Sequence, residues 1–121
     1  MSKEWEPETI FDVLASETAR EVLAVASVRA VAADDLAEHC EVSLPTVYRR
    51  VNALVEYDLL DEQTELDADG NHYNTYETNL DRICISIEDG DMSIDIELQR
   101  DLVDRFGGLW DDLEEGAGGE H

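Results

Sequence analysis

Residues 34–60 read DDLAEHCEVSLPTVYRRVNALVEYDLL, a pattern typical of a short helix, a tight turn and a longer helix. The short helix is expected over about residues 34–40, and the two residues after it form the turn. Ser43 is a suitable N-cap for the longer helix, and Pro45 fits its first turn because no intrahelical bond needs the missing N–H. Two helices joined in this way predict a helix-turn-helix unit.

The longer helix has one apolar and one polar side. Its buried stripe is predicted to consist of Val47, Val51, Leu54 and Val55. The outward side carries Arg49 and Arg50, the only adjacent basic pair of the chain. Arginine makes bidentate contacts with guanine in the major groove, and hydroxyls and free amides at a helix start bind phosphate. The predicted DNA contacts of this helix are Ser43, Pro45, Thr46, Tyr48, Arg49, Arg50 and Asn52.

Two helices are predicted before this unit. Residues 8–15 have apolar side chains at helical spacing, and Ser16 can cap a second helix that continues to about Ala26. The apolar stripes of both helices are expected to lie in the core rather than on a binding surface.

Two β-hairpins are predicted after it. Strands over residues 60–66 and 72–78 flank a turn-rich loop, residues 67–71. In the second hairpin, Asp89 and Gly90 fit the centre of a two-residue turn. That turn sets the cross-strand pairs Ile87–Met92, Ile85–Ile94, Ile83–Ile96, Ser86–Ser93 and Arg82–Glu97, so one face is apolar throughout.

A last helix is predicted over about residues 98–113, followed by a disordered acidic tail, residues 114–121. We expect residues 1–80 to form the DNA-binding unit, and residues 81–113 to complete the same compact body with a hairpin and a helix. One side of this helix is lined by Leu98, Leu102, Phe106, Leu109 and Leu113.

The composition is strongly acidic. The chain has 121 residues, 31 of them Asp or Glu and 8 Lys or Arg, which gives a formal net charge of −23. At about 1 M salt the screening length falls to about 3 Å, so a carboxylate-rich, lysine-poor surface is tolerated and stays hydrated. This favours a protein of a multimolar-salt cytoplasm. No apolar run is long enough to span a membrane, and no targeting segment is recognised.

The chain resembles the winged helix-turn-helix transcriptional regulators, specifically the ArsR-like group common in haloarchaea. The resemblance is carried by VLASETAREVLAVA, by DDLAEHCEVSLPTVYRRVNALVEYDLL and by the wing YDLLDEQTELDADGNHYNTYET, and it covers about Phe11 to Leu113. It implies a mainly α fold with small antiparallel β, a winged helix-turn-helix with an extra β-hairpin and a C-terminal dimerisation helix.

The resemblance also implies a function. The helix after the turn would enter the major groove of double-stranded DNA, and the wing would reach the adjacent backbone, here through Asn71 and His72. The apolar side of the last helix would build a homodimer, so the operator should be a near-palindrome with half-sites about one turn apart. No cofactor is implied. Because few cations face the DNA, the carboxylates of Glu41, Asp67 and Asp69 could instead hold K⁺ or Na⁺ against phosphate.

Four other functions are weaker alternatives. Related metal sensors carry a cysteine pair near His39 and Cys40, but here the second cysteine is missing, and Cys40 reads as a small core residue. Cys84 alternates with Ile83 and Ile85 and so points away from their apolar face, and a redox-responsive regulator that uses Cys40 or Cys84 stays an alternative. No nucleophile–base pair, phosphate loop or metal-ligand cluster indicates an enzyme. The main competitor is a winged helix used for protein–protein contact.

Overall fold

The computed structural model describes residues 7–100. Four helices and five strands lie in this range, in the order α1 (Pro7–Leu14), α2 (Glu17–Ala26), β1 (Val31–Ala32), α3 (Ala33–Cys40), α4 (Leu44–Glu56), β2 (Leu60–Leu66), β3 (His72–Thr78), β4 (Leu80–Glu88) and β5 (Asp91–Leu98). The acidic tail and four of the residues predicted for dimerisation, Leu102, Phe106, Leu109 and Leu113, lie outside the described residues.

The helix boundaries follow local signals. Ser16 Oγ accepts the Ala19 amide at 3.2 Å at the start of α2, and Ser43 caps α4 as predicted. Glu41, between α3 and α4, has a left-handed backbone with φ +56°. Asp58 after α4 also adopts the left-handed conformation expected for it, with φ +63°.

The core forms where α2, α3 and α4 meet the first sheet. Val47, Val51 and Leu54 of α4 are fully buried, as predicted, whereas Val55 is only partly buried. Tyr76 of β3 is the largest fully buried side chain of this core. Burial of this stripe fixes the rotation of α4 about its axis, and therefore decides which of its side chains face solvent.

The first sheet has the strand order β1-β3-β2 and is antiparallel. β2 and β3 form the predicted hairpin, called the wing below, with Leu60 opposite Thr78 and Leu66 opposite His72. The two-residue strand β1 was not predicted. It pairs Val31 with Tyr76 and so places the start of α3 against the wing.

The β4–β5 hairpin has the register derived from its turn. Ile87 lies opposite Met92, Ile85 opposite Ile94 and Ile83 opposite Ile96. Arg82 pairs with Glu97 in an exposed ion pair of 2.8 Å.

Helices and antiparallel strands both occur as expected, and within residues 7–100 the strands hold nearly as many residues as the helices. One expectation about this region is wrong. Leu98 is not the first residue of a dimerisation helix. It ends β5, pairs with Leu80 and is 8% exposed, because the alternating hairpin pattern continues through it into the core.

Asn79 connects the two hairpins to α4. Its side chain is buried, donates to the Asp58 carbonyl at 2.8 Å and accepts the Arg100 amide at 3.0 Å. Arg100 in turn lies 3.2 Å from the carboxylate of Asp61. The base of the β4–β5 hairpin is therefore tied to the body that carries the helix-turn-helix.

Candidate nucleic-acid interface

The start of α4 presents a set of small polar groups to solvent. Ser43 Oγ accepts the Thr46 amide at 3.3 Å and lies 2.9 Å from Thr46 Oγ1. Pro45 is exposed beside them and has no N–H to offer. The positive end of the helix dipole and the remaining free amides of this first turn favour a phosphate oxygen.

Arg49 is the outward-facing cation of α4. Its side chain lies on the side of the helix away from Val47 and Val51, and the residue is exposed. It takes part in no ion pair within residues 7–100. Asn52 is exposed one turn later, so the outward row of the helix offers a guanidinium and an amide. Both groups can read base edges in a major groove.

Arg50 is not fully outward, contrary to the expectation from sequence. It is partly buried and lines a cavity of about 220 Å³ with Asp12, Val13, Ala19 and Ala53. Its Nε is shielded from solvent and meets no hydrogen-bond acceptor in the described part of the chain. Successive residues of an α-helix are rotated by about 100° around its axis. Arg50 therefore points about 100° away from the outward Arg49, towards the groove between α4 and the first two helices.

A cleft of about 720 Å³ separates α4 from the wing. On the helix side it is lined by Tyr48, which is 43% exposed. On the wing side it is lined by His72, Tyr73 and Asn74. Asp34 and Asp67 add two carboxylates to its walls, so the cleft combines neutral hydrogen-bonding side chains with negative charge.

The wing tip is held by one aspartate. Asp67 Oδ1 accepts the amides of Asp69 and Asn71, each at 2.9 Å, and the Asp67 amide donates to the Asn71 carbonyl at the same distance. The main structural role of Asp67 is therefore to form the turn at the wing tip. Asn71 and His72 are exposed next to it, in positions that leave their side chains open to a ligand.

Sequence reasoning missed two residues of this surface. Tyr73 is 42% exposed on the wing wall of the cleft, and Asp34 enters the cleft from the start of α3. Alternation along β3 would place Tyr73 on the face opposite His72 and Asn74, so the sequence pattern gave no signal that all three line one cleft. The position of Asp34 in the cleft could not be predicted from sequence, because it depends on the pairing of β1 with β3, which brings α3 against the wing.

Tyr76 is buried in β3, where it pairs with Val31 of β1 and with Glu62 of β2. Burial, and secondarily the carboxylate of Glu62, raises the pKa of Tyr76 to about 12. The hydroxyl is thus neutral at any ordinary pH.

The two cysteines differ in position. Cys40 packs against the core, and burial followed by the neighbouring Glu21 raises the pKa of its thiol. A raised pKa lowers the thiolate fraction, which disfavours reaction with oxidants. Cys84 lies half-buried on β4, opposite Asp95 and on the face away from the isoleucines. Within residues 7–100, no three His, Cys, Asp or Glu side chains gather where they could hold a metal ion.

Comparison with known families agrees with this geometry. Residues 14–63 match a helix-turn-helix domain family, a span that begins just before α2 and ends within β2. The match includes the whole α3–turn–α4 unit. No curated protein matches the chain. None of the described helices is long and apolar enough to cross a membrane.

Proposed function

We propose that this protein is a sequence-specific, DNA-binding transcriptional regulator that inserts α4 into the major groove. The observation that carries the proposal is the position of Arg49. It is exposed on the outward row of a capped helix in a helix-turn-helix, and no carboxylate among the described residues neutralises it. An exposed, unpaired arginine in this row has the geometry of a base-reading side chain.

The groups around Arg49 can position the helix. The first turn of α4, with Ser43 and Thr46, offers hydroxyls and amides to one phosphate. The cleft beside it can receive the next stretch of backbone, where Tyr48 and Tyr73 would donate hydrogen bonds without carrying charge. Of the wing contacts proposed from sequence, His72 lines the same cleft, and Asn71 is exposed next to it in the wing turn.

We propose that the regulator works in the cytoplasm at high salt, and that this explains the carboxylates on the same surface. Residues 51–81 contain no Lys or Arg, so the wing brings no permanent cation to the DNA. K⁺ or Na⁺ held between Glu41 or Asp69 and phosphate would reduce the repulsion. Association would then depend on hydrogen bonds and shape more than on counterion release.

The regulator is proposed to bind as a homodimer. A single α4 reads only a few base pairs, whereas two copies related by a two-fold axis read a near-palindrome with half-sites about 34–36 Å apart. Binding by two copies increases the discrimination between operator and other DNA, although neither copy gains a further base-reading residue.

The test is a selection from random duplexes, because the operator is not known. Wild-type protein is incubated with a random-sequence pool at about 2 M KCl, where its surface repulsion is screened. The enriched site is then used in fluorescence polarisation with Arg49→Ala and Arg29→Ala. Arg29 is an exposed arginine without an ion pair in residues 7–100, and it lines a separate groove with Asp35, Glu38 and His39.

We expect one enriched near-palindrome and a loss of affinity for Arg49→Ala of about 5- to 150-fold per half-site, the range for one bidentate base contact. Arg29→Ala removes the same charge and should bind within about twofold of wild type. If no sequence is enriched and wild type binds duplex DNA no better than background, the proposal fails. The helix-turn-helix would then serve protein–protein contact.

A further inference from the structure

His72 is the one residue of the wing that can become a cation near neutral pH. Residues 51–81, which include both wing strands and their turn, contain this histidine and no Lys or Arg. His72 begins β3, is exposed and lines the cleft between α4 and the wing. No ion pair within residues 7–100 involves its ring. The described part of the chain therefore leaves the imidazole open to an anion from outside.

We propose that His72 is protonated when the wing lies against DNA, and that its imidazolium binds a phosphate of the operator. Binding of DNA then takes up as much as one proton per wing, and the affinity for the operator depends on pH. The inference rests on the proposed function, in which the cleft receives the DNA backbone, and it adds regulation by protons to that site.

The charges around the ring favour its protonated form. Two carboxylates line the same cleft, Asp34 from the first turn of α3 and Asp67 from the wing turn, and Asp69 is exposed in that turn. Tyr48 of α4 and Tyr73 of β3 bring phenols, which carry no charge near neutral pH. A phosphate against the ring adds a further negative charge, so the imidazolium is stabilised more in the complex than in the free protein, where water surrounds the exposed ring.

The cleft needs a cation if a phosphate is to enter it. Its walls, as far as the described residues form them, carry two carboxylates and no Lys or Arg. Screening at molar salt acts over a few ångströms, so it does not remove the repulsion between charges in direct contact. A protonated His72 lies in the cleft itself and offsets one of these negative charges. The carboxylates proposed to hold K⁺ or Na⁺, Glu41 and Asp69, are not among the lining residues, so they act at different positions.

The chain offers a matched control in His39. This residue is exposed in the last turn of α3 and lines the separate groove that contains Arg29. It does not line the cleft between α4 and the wing. The third histidine of the chain, His121, lies outside the described residues. A pH effect that arises at the wing should therefore disappear when His72 is replaced and persist when His39 is replaced.

The sign of the pH dependence follows from the contact. The complex holds the proton more tightly than the free protein does, so the affinity for DNA is highest where histidine is protonated. It falls as the pH rises through the range in which histidine loses its proton, about pH 5 to 8. Carboxylates stay ionised above about pH 6, so measurements from about pH 6 to about pH 8.5 separate the histidine from them.

The test is fluorescence polarisation of the full chain with the enriched operator at about 2 M KCl over this pH range. Wild type is compared with His72→Gln, which keeps a hydrogen-bonding side chain without the charge, and with His72→Arg, which makes the charge permanent. His39→Gln is the control for loss of a histidine elsewhere. Circular dichroism at each pH shows whether each variant is folded.

We expect wild type and His39→Gln to bind about 10-fold more tightly per half-site at about pH 6 than at about pH 8.5, the effect of one charge-assisted hydrogen bond. His72→Gln should bind at every pH as wild type does at about pH 8.5, and His72→Arg at least as tightly as wild type does at about pH 6. The slope of log K against log salt for wild type should also be steeper at the lower pH, by up to about 0.9 per wing.

A wild-type affinity that does not change with pH overturns the inference. A pH dependence that His72→Gln retains also overturns it, because the proton would then be taken up by another group, such as a carboxylate of the cleft. Both outcomes require a protein that binds its operator, so they leave the proposed function standing. A wild type that binds DNA at no pH overturns the proposed function and this inference together.

Discussion

The salt dependence of DNA binding is the sharpest test of an interface with so few cations. When a protein places cationic groups against phosphates, condensed counterions are released, and log K falls with log salt by about 0.9 for each phosphate neutralised. The perturbation is a rise in KCl from about 0.5 M to about 2 M, measured on one operator with one protein preparation.

The magnitude follows from counting charges on the DNA-facing side. Arg49 is the outward cation of α4, Arg50 is turned into the seam with the first helices, and the wing has no Lys or Arg. The proposed dimer therefore brings about two cations to the DNA, and even if each of them displaced the counterion of one phosphate, the slope would be no steeper than about −1.8. A fourfold rise in salt then weakens binding at most about 12-fold. A repressor with a slope near −10 would lose about 10⁶-fold over the same range.

Fluorescence polarisation with a labelled operator at four or five KCl concentrations measures the slope. Arg49→Gln should bring the slope close to zero, because it removes the cation and retains a hydrogen-bonding side chain. A positive slope in that variant would support K⁺ or Na⁺ held by the carboxylates. A wild-type slope steeper than about −4 would refute the reasoning, because it would require Lys or Arg side chains at the phosphates beyond the one outward arginine of α4 in each copy.

Three further changes test the fold that positions the interface. Ser43→Ala removes the cap of α4 and should lower the free energy of unfolding by about 1 kcal/mol in urea titrations at high salt. Glu41→Gly should raise it by about 1 kcal/mol in the same assay, because glycine adopts φ +56° without strain; an unchanged midpoint would contradict this. Tyr76 has a pKa of about 12 when folded and about 10 when unfolded, so the folded state keeps its proton longer and loses about 1–2 kcal/mol of stability between pH 10 and 12. Tyr76→Phe should abolish that loss in pH-dependent unfolding, and a wild type equally stable at both pH values would exclude the stated cause.

Much of the fold could be predicted because it is specified by local signals. Ser16 and Ser43 are caps whose side chains bond the amide three residues later, and the structure has both bonds. The Asp89-Gly90 turn has φ +53° and +83°, the conformation that a two-residue hairpin requires, so the register of the whole β4–β5 hairpin followed from two residues.

The features that were missed depend on contacts far along the chain. β1 consists of Val31 and Ala32 and is a strand only because Tyr76 and Thr75 pair with it, which no pattern near residue 31 indicates. From the sequence pattern alone, Leu98 fits equally well as the last residue of an alternating strand or as the first residue of a helical apolar stripe. Its pairing with Leu80 decides for the strand.

For the candidate interface residues, too, local sequence predicts part of the arrangement, and contacts with other helices decide the rest. Helical periodicity placed Arg49 and Arg50 together as outward residues, since both are polar and adjacent. The structure separates them, because a step of 100° takes Arg50 from the solvent side to the cavity with Asp12 and Ala53. Periodicity assigns a residue to a sector of the helix, but only the neighbouring helices decide whether a long side chain in a border sector is covered.

Asp34, Asp35 and Asp67, three of the carboxylates near the DNA-facing side, each have a local structural role, and this bears on how an acidic chain could approach a polyanion. Asp34 and Asp35 lie in the first turn of α3, where the helix dipole stabilises negative charge. Asp67 accepts two amides in the wing turn. The amide hydrogens and the helix dipole stabilise these carboxylates where they lie, but they carry no net charge, so the formal charge remains and salt screening is what reduces its field at the DNA, within a few ångströms at molar concentration. Asp34 and Asp67 are therefore held in place by the fold, whereas Asp69, which contributes only its backbone to the turn, is the carboxylate most in need of a bound cation.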